Sequence, residues 1–190
     1  LLLNTLSFGQ ITKTINLPTQ VIDYNSVAGL GDPQITASNF LVYNIEESNI
    51  INDLAGVKST LSSKGFLGKI SFPHPNGEVH EYTVEENSTM SDGLKAKFPM
   101  IRSYNGYNNV TGNSVKWDIT PHGLHAIIFN PEDGTYYIDP LFKRNNDIYI
   151  VYRRNDFQTD KVKECLVTAE PRKPSNLGTP KSFLTCEMRL

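Results

Sequence analysis

Residues 113–154 constrain the fold more than any other part of this chain. Val115-Lys116-Trp117-Asp118-Ile119-Thr120 alternates apolar with polar side chains and is broken by Pro121-His122-Gly123. Residues 124–129 form an apolar run ended by Asn130-Pro131-Glu132-Asp133-Gly134. Thr135-Tyr136-Tyr137-Ile138 comes next and, after a polar break, so does Ile148-Tyr149-Ile150-Val151-Tyr152. A period of two sends successive side chains to opposite faces of a strand, and turn residues at this spacing leave room only for hairpins. β-Branched and aromatic side chains fit such pleated surfaces. The stretch predicts an antiparallel meander. The chain as a whole is expected to be an α+β domain of mainly antiparallel β-sheet, with two short helices and a Pro-rich C-terminal linker.

The flanking sequence extends this pattern. Residues 15–17 and 21–24 read as short strands and residues 40–45 as a longer one. A short helix is expected over residues 46–54, with Ile50, Ile51 and Leu54 on one face and Glu46-Glu47 at its start, where the helix dipole favours acids. Residues 69–73 and 79–85 flank Pro75-Asn76-Gly77, the strongest short-range hairpin signal in the chain. Ser91-Asp92 caps a helical turn or two over residues 93–98, stopped by Pro99, and residues 100–104 return to strand.

Residues 1–10 read as the tail of a secretory signal, an apolar end followed by small residues near Gly9-Gln10, the alternative being an ordinary N-terminal strand. Residues 11–156 are expected to be the folded domain, and residues 157–182 a linker with Pro171, Pro174 and Pro180 near its end. Residues 183–190 alternate again, as the start of a further domain would. A signal places the protein outside the cell, and Asn87-Ser88-Thr89 and Asn109-Val110-Thr111 would be glycosylation sites only on a eukaryotic secretory route.

With 18 basic and 20 acidic side chains the net charge is −2, and residues 113–154 carry five of each sign. Neither nucleic acid nor an anionic membrane is an expected partner, and no apolar run approaches the roughly 20 residues that span a bilayer. The motif inventory names no reaction: there is no HExxH, GxSxG, SxxK, GxxxxGK[ST] or GxGxxG. His122 and His125 would share a face on a helix, but Pro121 and Gly123 oppose helix, so solvated or locally hydrogen-bonded histidines are the plainer reading. Asp139-Pro140 reads as turn chemistry rather than a catalytic acid. Catalytic and cofactor-binding residues are therefore not expected here. Cys165 and Cys186 leave two alternatives open. They form a disulfide, with each other or with a cysteine further on, or one of them is a thiolate for an open zinc position.

Four ordered blocks resemble a known pattern. Thr89-Met90-Ser91-Asp92-Gly93-Leu94-Lys95-Ala96-Lys97-Phe98-Pro99-Met100-Ile101-Arg102-Ser103-Tyr104-Asn105-Gly106 is similar to the M-x-x-G-L-x-x-x-[FY]-P-x-I-[RK]-[ST]-[YF]-x-G stretch in pro-regions of bacterial, flavobacterial-type secreted reprolysin-like zinc metalloproteases. Ile119-Thr120-Pro121-His122-Gly123-Leu124-His125-Ala126, then Tyr136-Tyr137-Ile138-Asp139-Pro140, then Tyr149-Ile150-Val151-Tyr152-Arg153-Arg154-Asn155-Asp156 continue it in order. The resemblance covers roughly residues 40–156 and implies a pro-domain that inhibits its protease, aids its folding and is removed by proteolysis. It implies a partner in cis, the downstream catalytic domain, which would carry the zinc and the HExxHxxGxxH motif that is missing here. It also places Cys186 in the first strand of that domain, which favours a disulfide over a zinc switch. The rival reading is a secreted adhesion or carbohydrate-binding β module, suggested by Trp117 and nine tyrosines, side chains that equally serve cross-strand packing.

Overall fold

Turn chemistry sets the strand order. Gly77 and Gly123 sit at hairpin turns with φ of 95° and 110°, a region in which a Cβ is strained, so the chain reverses there at low cost. The computed structural model describes residues 11–159, apart from 48, 49, 63, 88 and 144. In chain order the elements are β1 (Thr12–Thr14), β2 (Thr19–Ile22), α1 (Tyr24–Val27), β3 (Thr36–Ala37), β4 (Phe40–Ile45), α2 (Ile50–Asp53), β5 (Leu67–Pro73), β6 (Val79–Glu86), α3 (Asp92–Lys97), β7 (Arg102–Tyr107), β8 (Ser114–Thr120), β9 (Gly123–Phe129), β10 (Tyr136–Phe142), β11 (Asn145–Arg153) and β12 (Phe157–Gln158).

Ten strands make one sheet in the order β1-β5-β6-β7-β8-β9-β10-β11-β4-β2, and β3 pairs with β12 in a second, two-stranded sheet. β1 runs parallel to β5, while the unbroken path from β5 to β11 is an antiparallel meander. The expected α+β class with mainly antiparallel sheet is what the chain adopts.

Period-two alternation builds the main core. Ile70 and Phe72 of β5, Tyr82 and Val84 of β6, Tyr104 of β7, Val115, Trp117 and Ile119 of β8, Leu124 and Ile128 of β9, Ile138 of β10 and Tyr149 of β11 all join one buried cluster. The sheet curls so that this face closes on itself, with Ile50, Leu54 and Val57 sealing it from the α2 region. Where β4, β10 and β11 adjoin, their second face is also buried: Val42, Phe142, Ile148 and Ile150 pack with Val27 and Ala37. Strands covered on both faces read as continuous apolar runs, which is why residues 148–152 lack alternation.

Several local expectations are corrected. The helix expected over residues 46–54 is reduced to α2. Glu46 instead continues the strand-like path, its N–H donating to the Pro18 carbonyl at 3.1 Å. A third helix, α1, replaces part of the extended segment expected at residues 21–24, because the Asp23 carboxylate accepts the Asn25 N–H at 3.0 Å as an N-cap. Residues 15–17 lie just beyond β1 rather than in a strand of their own, and Ile15 and Leu17 anchor the segment in the core. Asp139-Pro140 lies inside β10 and not at a turn. Proline is tolerated there because described pairing with β9 stops at Ile138 and the register with β11 shifts just after Pro140, so the missing N–H falls at a ladder's end. Phe157 and Gln158, expected to open the linker, instead pair with Ala37 and Thr36, and the rest of that expected linker from residue 160 on lies outside the described residues. The signal and domain start expected at residues 1–10 and 183–190 lie outside the described residues, as do Cys165 and Cys186.

Candidate functional site

The same alternation that buries Trp117 and Ile119 turns Lys116 and Asp118 outward, and register places like-facing residues in a row across the strands. Ser103 on β7 opposes Asp118 on β8, which opposes His125 on β9. One strand further, Asp139 on β10 completes the row, its Oδ1 lying 2.7 Å from His125 Nδ1. Tyr152 on β11 donates its hydroxyl to Asp139 Oδ2 at 2.9 Å and stacks on Tyr137, with ring centroids 5.4 Å apart. Each carboxylate oxygen of Asp139 therefore has its own partner. A depression of about 240 Å³ lies over this row, lined also by Asn105 and Lys116.

The electrostatics follow from these contacts. The hydrogen bond to Asp139 raises the His125 pKa, against the opposing effect of partial burial. Burial raises the Asp118 carboxyl, with Asp139 adding to the rise and His125 opposing it. Tyr152 is raised strongly, first by burial and then by the neighbouring Asp139 charge. The row is thus an imidazole held between two carboxylates on a sheet face, flanked by a lysine. Among the described residues the hydrogen-bond partner of His125 is the Asp139 carboxylate. Among the same residues no three His, Cys, Asp or Glu side chains gather as a metal site.

The other residues singled out in the sequence are dispersed. His122 sits exposed in the β8–β9 turn, where its N–H donates to Thr120 Oγ1 at 3.0 Å, and it does not join His125. His74 and His80 belong to the β5–β6 hairpin, as expected, and stack with centroids 4.8 Å apart. Trp117 is 3% exposed and packs against Tyr104 and Phe72, so it presents no surface platform for a glycan.

Glu47 is the residue that sequence reasoning placed worst. Its carboxylate accepts the Leu124 N–H at 2.9 Å, an N–H shared with the Tyr149 hydroxyl at 3.0 Å. Burial pushes its pKa up to about 7, with Asp147 contributing in the same direction. The folded state then keeps this proton to higher pH than the unfolded chain, so stability falls as pH rises from the usual 4.5 through about 7. Glu47→Gln keeps the acceptor and removes the titration. Its stability relative to the parent, from urea midpoints, is expected to improve by roughly 1 kcal/mol between pH 4 and pH 8, after discounting for solvent screening. An unchanged difference at the two pH values would contradict the burial assignment.

No protein-family model matches the chain, and no match was found among curated proteins or solved structures.

Proposed function

We propose that this chain is the non-catalytic pro-domain of a secreted zinc metalloendopeptidase precursor. It docks on the catalytic domain through the outer face of β7–β10, inhibits it, assists its folding and is removed by proteolysis. One observation supports this reading above others: the four ordered sequence blocks that resemble such pro-regions fold into contiguous structure. The first spans α3 and β7, the second the β8–β9 hairpin, the third lies in β10 and the fourth covers most of β11. Ser103, His125 and Asp139 of the outward row come from the first three blocks, Asp118 directly precedes the second, and Tyr152 of the fourth donates to Asp139.

A rigid sheet face with fixed charges suits a macromolecular partner, because complementary charge sets register and speeds encounter while the scaffold loses little entropy on docking. Zinc belongs, on this reading, to the catalytic domain. Cleavage would fall in the Pro-rich stretch of residues 170–180, whose composition is that of a linker. Cys165 and Cys186 remain candidates for a thiolate contact to that zinc or for a disulfide. Unchanged inhibition by Cys165→Ser and Cys186→Ser, each tested alone, would remove the zinc-contact role.

The experiment that tests the reading is to determine the coding sequence past Leu190. HExxHxxGxxH within about one domain's length supports a protease precursor. An immediate stop, or a domain of another kind, contradicts it and favours the adhesion reading.

A further inference from the structure

In a meander, alternate connections fall at the same end of the sheet. The β5–β6, β7–β8 and β9–β10 turns therefore converge, joined by Arg153 at the end of β11. Between them lies a cavity of about 380 Å³, of a size that holds small molecules and remote from the Asp118–His125–Asp139 row. Its lining contains buried polar groups without partners. Asn113 is 1% exposed, and neither its Oδ1 nor its Nδ2 is hydrogen-bonded. His74 is 4% exposed, and its Nε2 lies 3.5 Å from Asp133 Oδ2 without making a hydrogen bond. The Nδ1 of His80 is likewise buried and unpartnered. Leaving one such group unsatisfied costs about 1–3 kcal/mol, so three around a single cavity favour an occupant that supplies partners.

We propose that this cavity binds a small uncharged polyhydroxylated ligand, a saccharide unit presenting a vicinal diol. Charge argues for neutrality. Asp133 is already paired with the Arg153 guanidinium, so a cation would have to displace an arginine, while Asp133 and Glu132 oppose an anion. His74 accepts the Asn76 N–H at Nδ1, at 3.2 Å, which leaves Nε2 as the N–H donor and not a metal ligand. Burial lowers its pKa, so the ring stays neutral at physiological pH.

Hydrogen-bond pattern argues for a diol. The Asn113 amide offers a donor and an acceptor side by side, and adjacent hydroxyls can accept from one and donate to the other. A trans peptide points its N–H and C=O in opposite directions and satisfies only one of the two. Because a hydroxyl both donates and accepts, the same ligand can take the His74 Nε2–H and donate to Asp133, linking the four groups in one cooperative network. Asn130 is not free for this role: its Oδ1 accepts the Glu132 and Asp133 N–H groups at 2.9 and 3.1 Å and holds the turn that positions Asp133.

The test is a ¹⁵N NMR titration of the full chain with methyl glycosides of glucose, mannose and galactose, and with a capped trialanine peptide. Concentrations run to about 50 mM, because a single-sugar site is expected at millimolar affinity. The expected result is saturable shifts from at least one glycoside, confined to His74, His80, Asn113, Asp133 and their neighbours. Asn113→Ala should weaken that binding about tenfold. Because Asn113 is buried, Asp133→Asn in the exposed turn serves as the second variant, with a loss of several-fold expected. No saturable shift with any glycoside, shifts with the peptide alone, or affinity unchanged in the folded variants would each overturn the proposal.

Discussion

Replacing Trp117 by alanine is expected to destabilise the fold by about 3–5 kcal/mol, at the upper end of what truncating one core side chain costs. The indole is 3% exposed and stacks on Tyr104 with centroids 4.4 Å apart and planes 20° apart, while Phe72 meets it edge-on at 5.4 Å. Its removal would open a void on the inner face beside Tyr104 of the adjoining β7 and Phe72 of β5, and close packing leaves neighbours little freedom to fill it. The indole N–H finds no hydrogen-bond partner, so the side chain contributes by packing and not by polar contact. Trp117→Phe, which keeps an apolar ring and removes the orphaned donor, should therefore cost less than half as much. Urea denaturation of the two variants decides this. Equal losses would mean that the indole N–H stabilises the fold through a hydrogen bond and that packing alone does not account for Trp117.

His125→Glu is expected to weaken the proposed docking on a catalytic domain about a hundredfold, corresponding to about 2.8 kcal/mol. The substitution puts a third carboxylate between Asp118 and Asp139, where the imidazole now bonds Asp139 and stands opposite Asp118. Like charges directly opposed across strands repel, and burial already disfavours the charged form of Asp118. The effect should shrink at high salt, as expected for surface electrostatics. Because the row lies on the outer face, the core should remain intact, and the thermal midpoint checks this. Lys116→Glu, which alters the same face without touching the histidine pair, provides an independent variant. If both folded variants inhibit within threefold of the parent, this face is not the docking surface.

The sheet was legible because its signal is local. Alternation over residues 115–120, Asn76-Gly77 between two strands and Asp133-Gly134 between two more each specify a reversal within a few residues. Glu47 was misplaced because a short apolar run after two acids fits a helix start, whereas its carboxylate is fixed by a backbone N–H at Leu124, far along the chain. Asp139-Pro140 looked like a turn because proline seldom sits inside a sheet, and only the end of the β9 pairing makes room for it. The His125–Asp139 contact depends on register across a hairpin, and a slip of one residue would have sent either side chain to the opposite face. The cavity near Asn113 was beyond reach for a related reason: its walls come from three turns whose convergence exists only once the strand order is known.

Whether this domain inhibits a zinc metalloprotease, as proposed, is decided by adding the purified chain in trans to the mature enzyme encoded with it. Competitive inhibition is expected, with a constant at or below about 1 μM, as a standard-sized, preorganised interface provides. No inhibition at about 100 μM, with the domain shown to be folded, would contradict it.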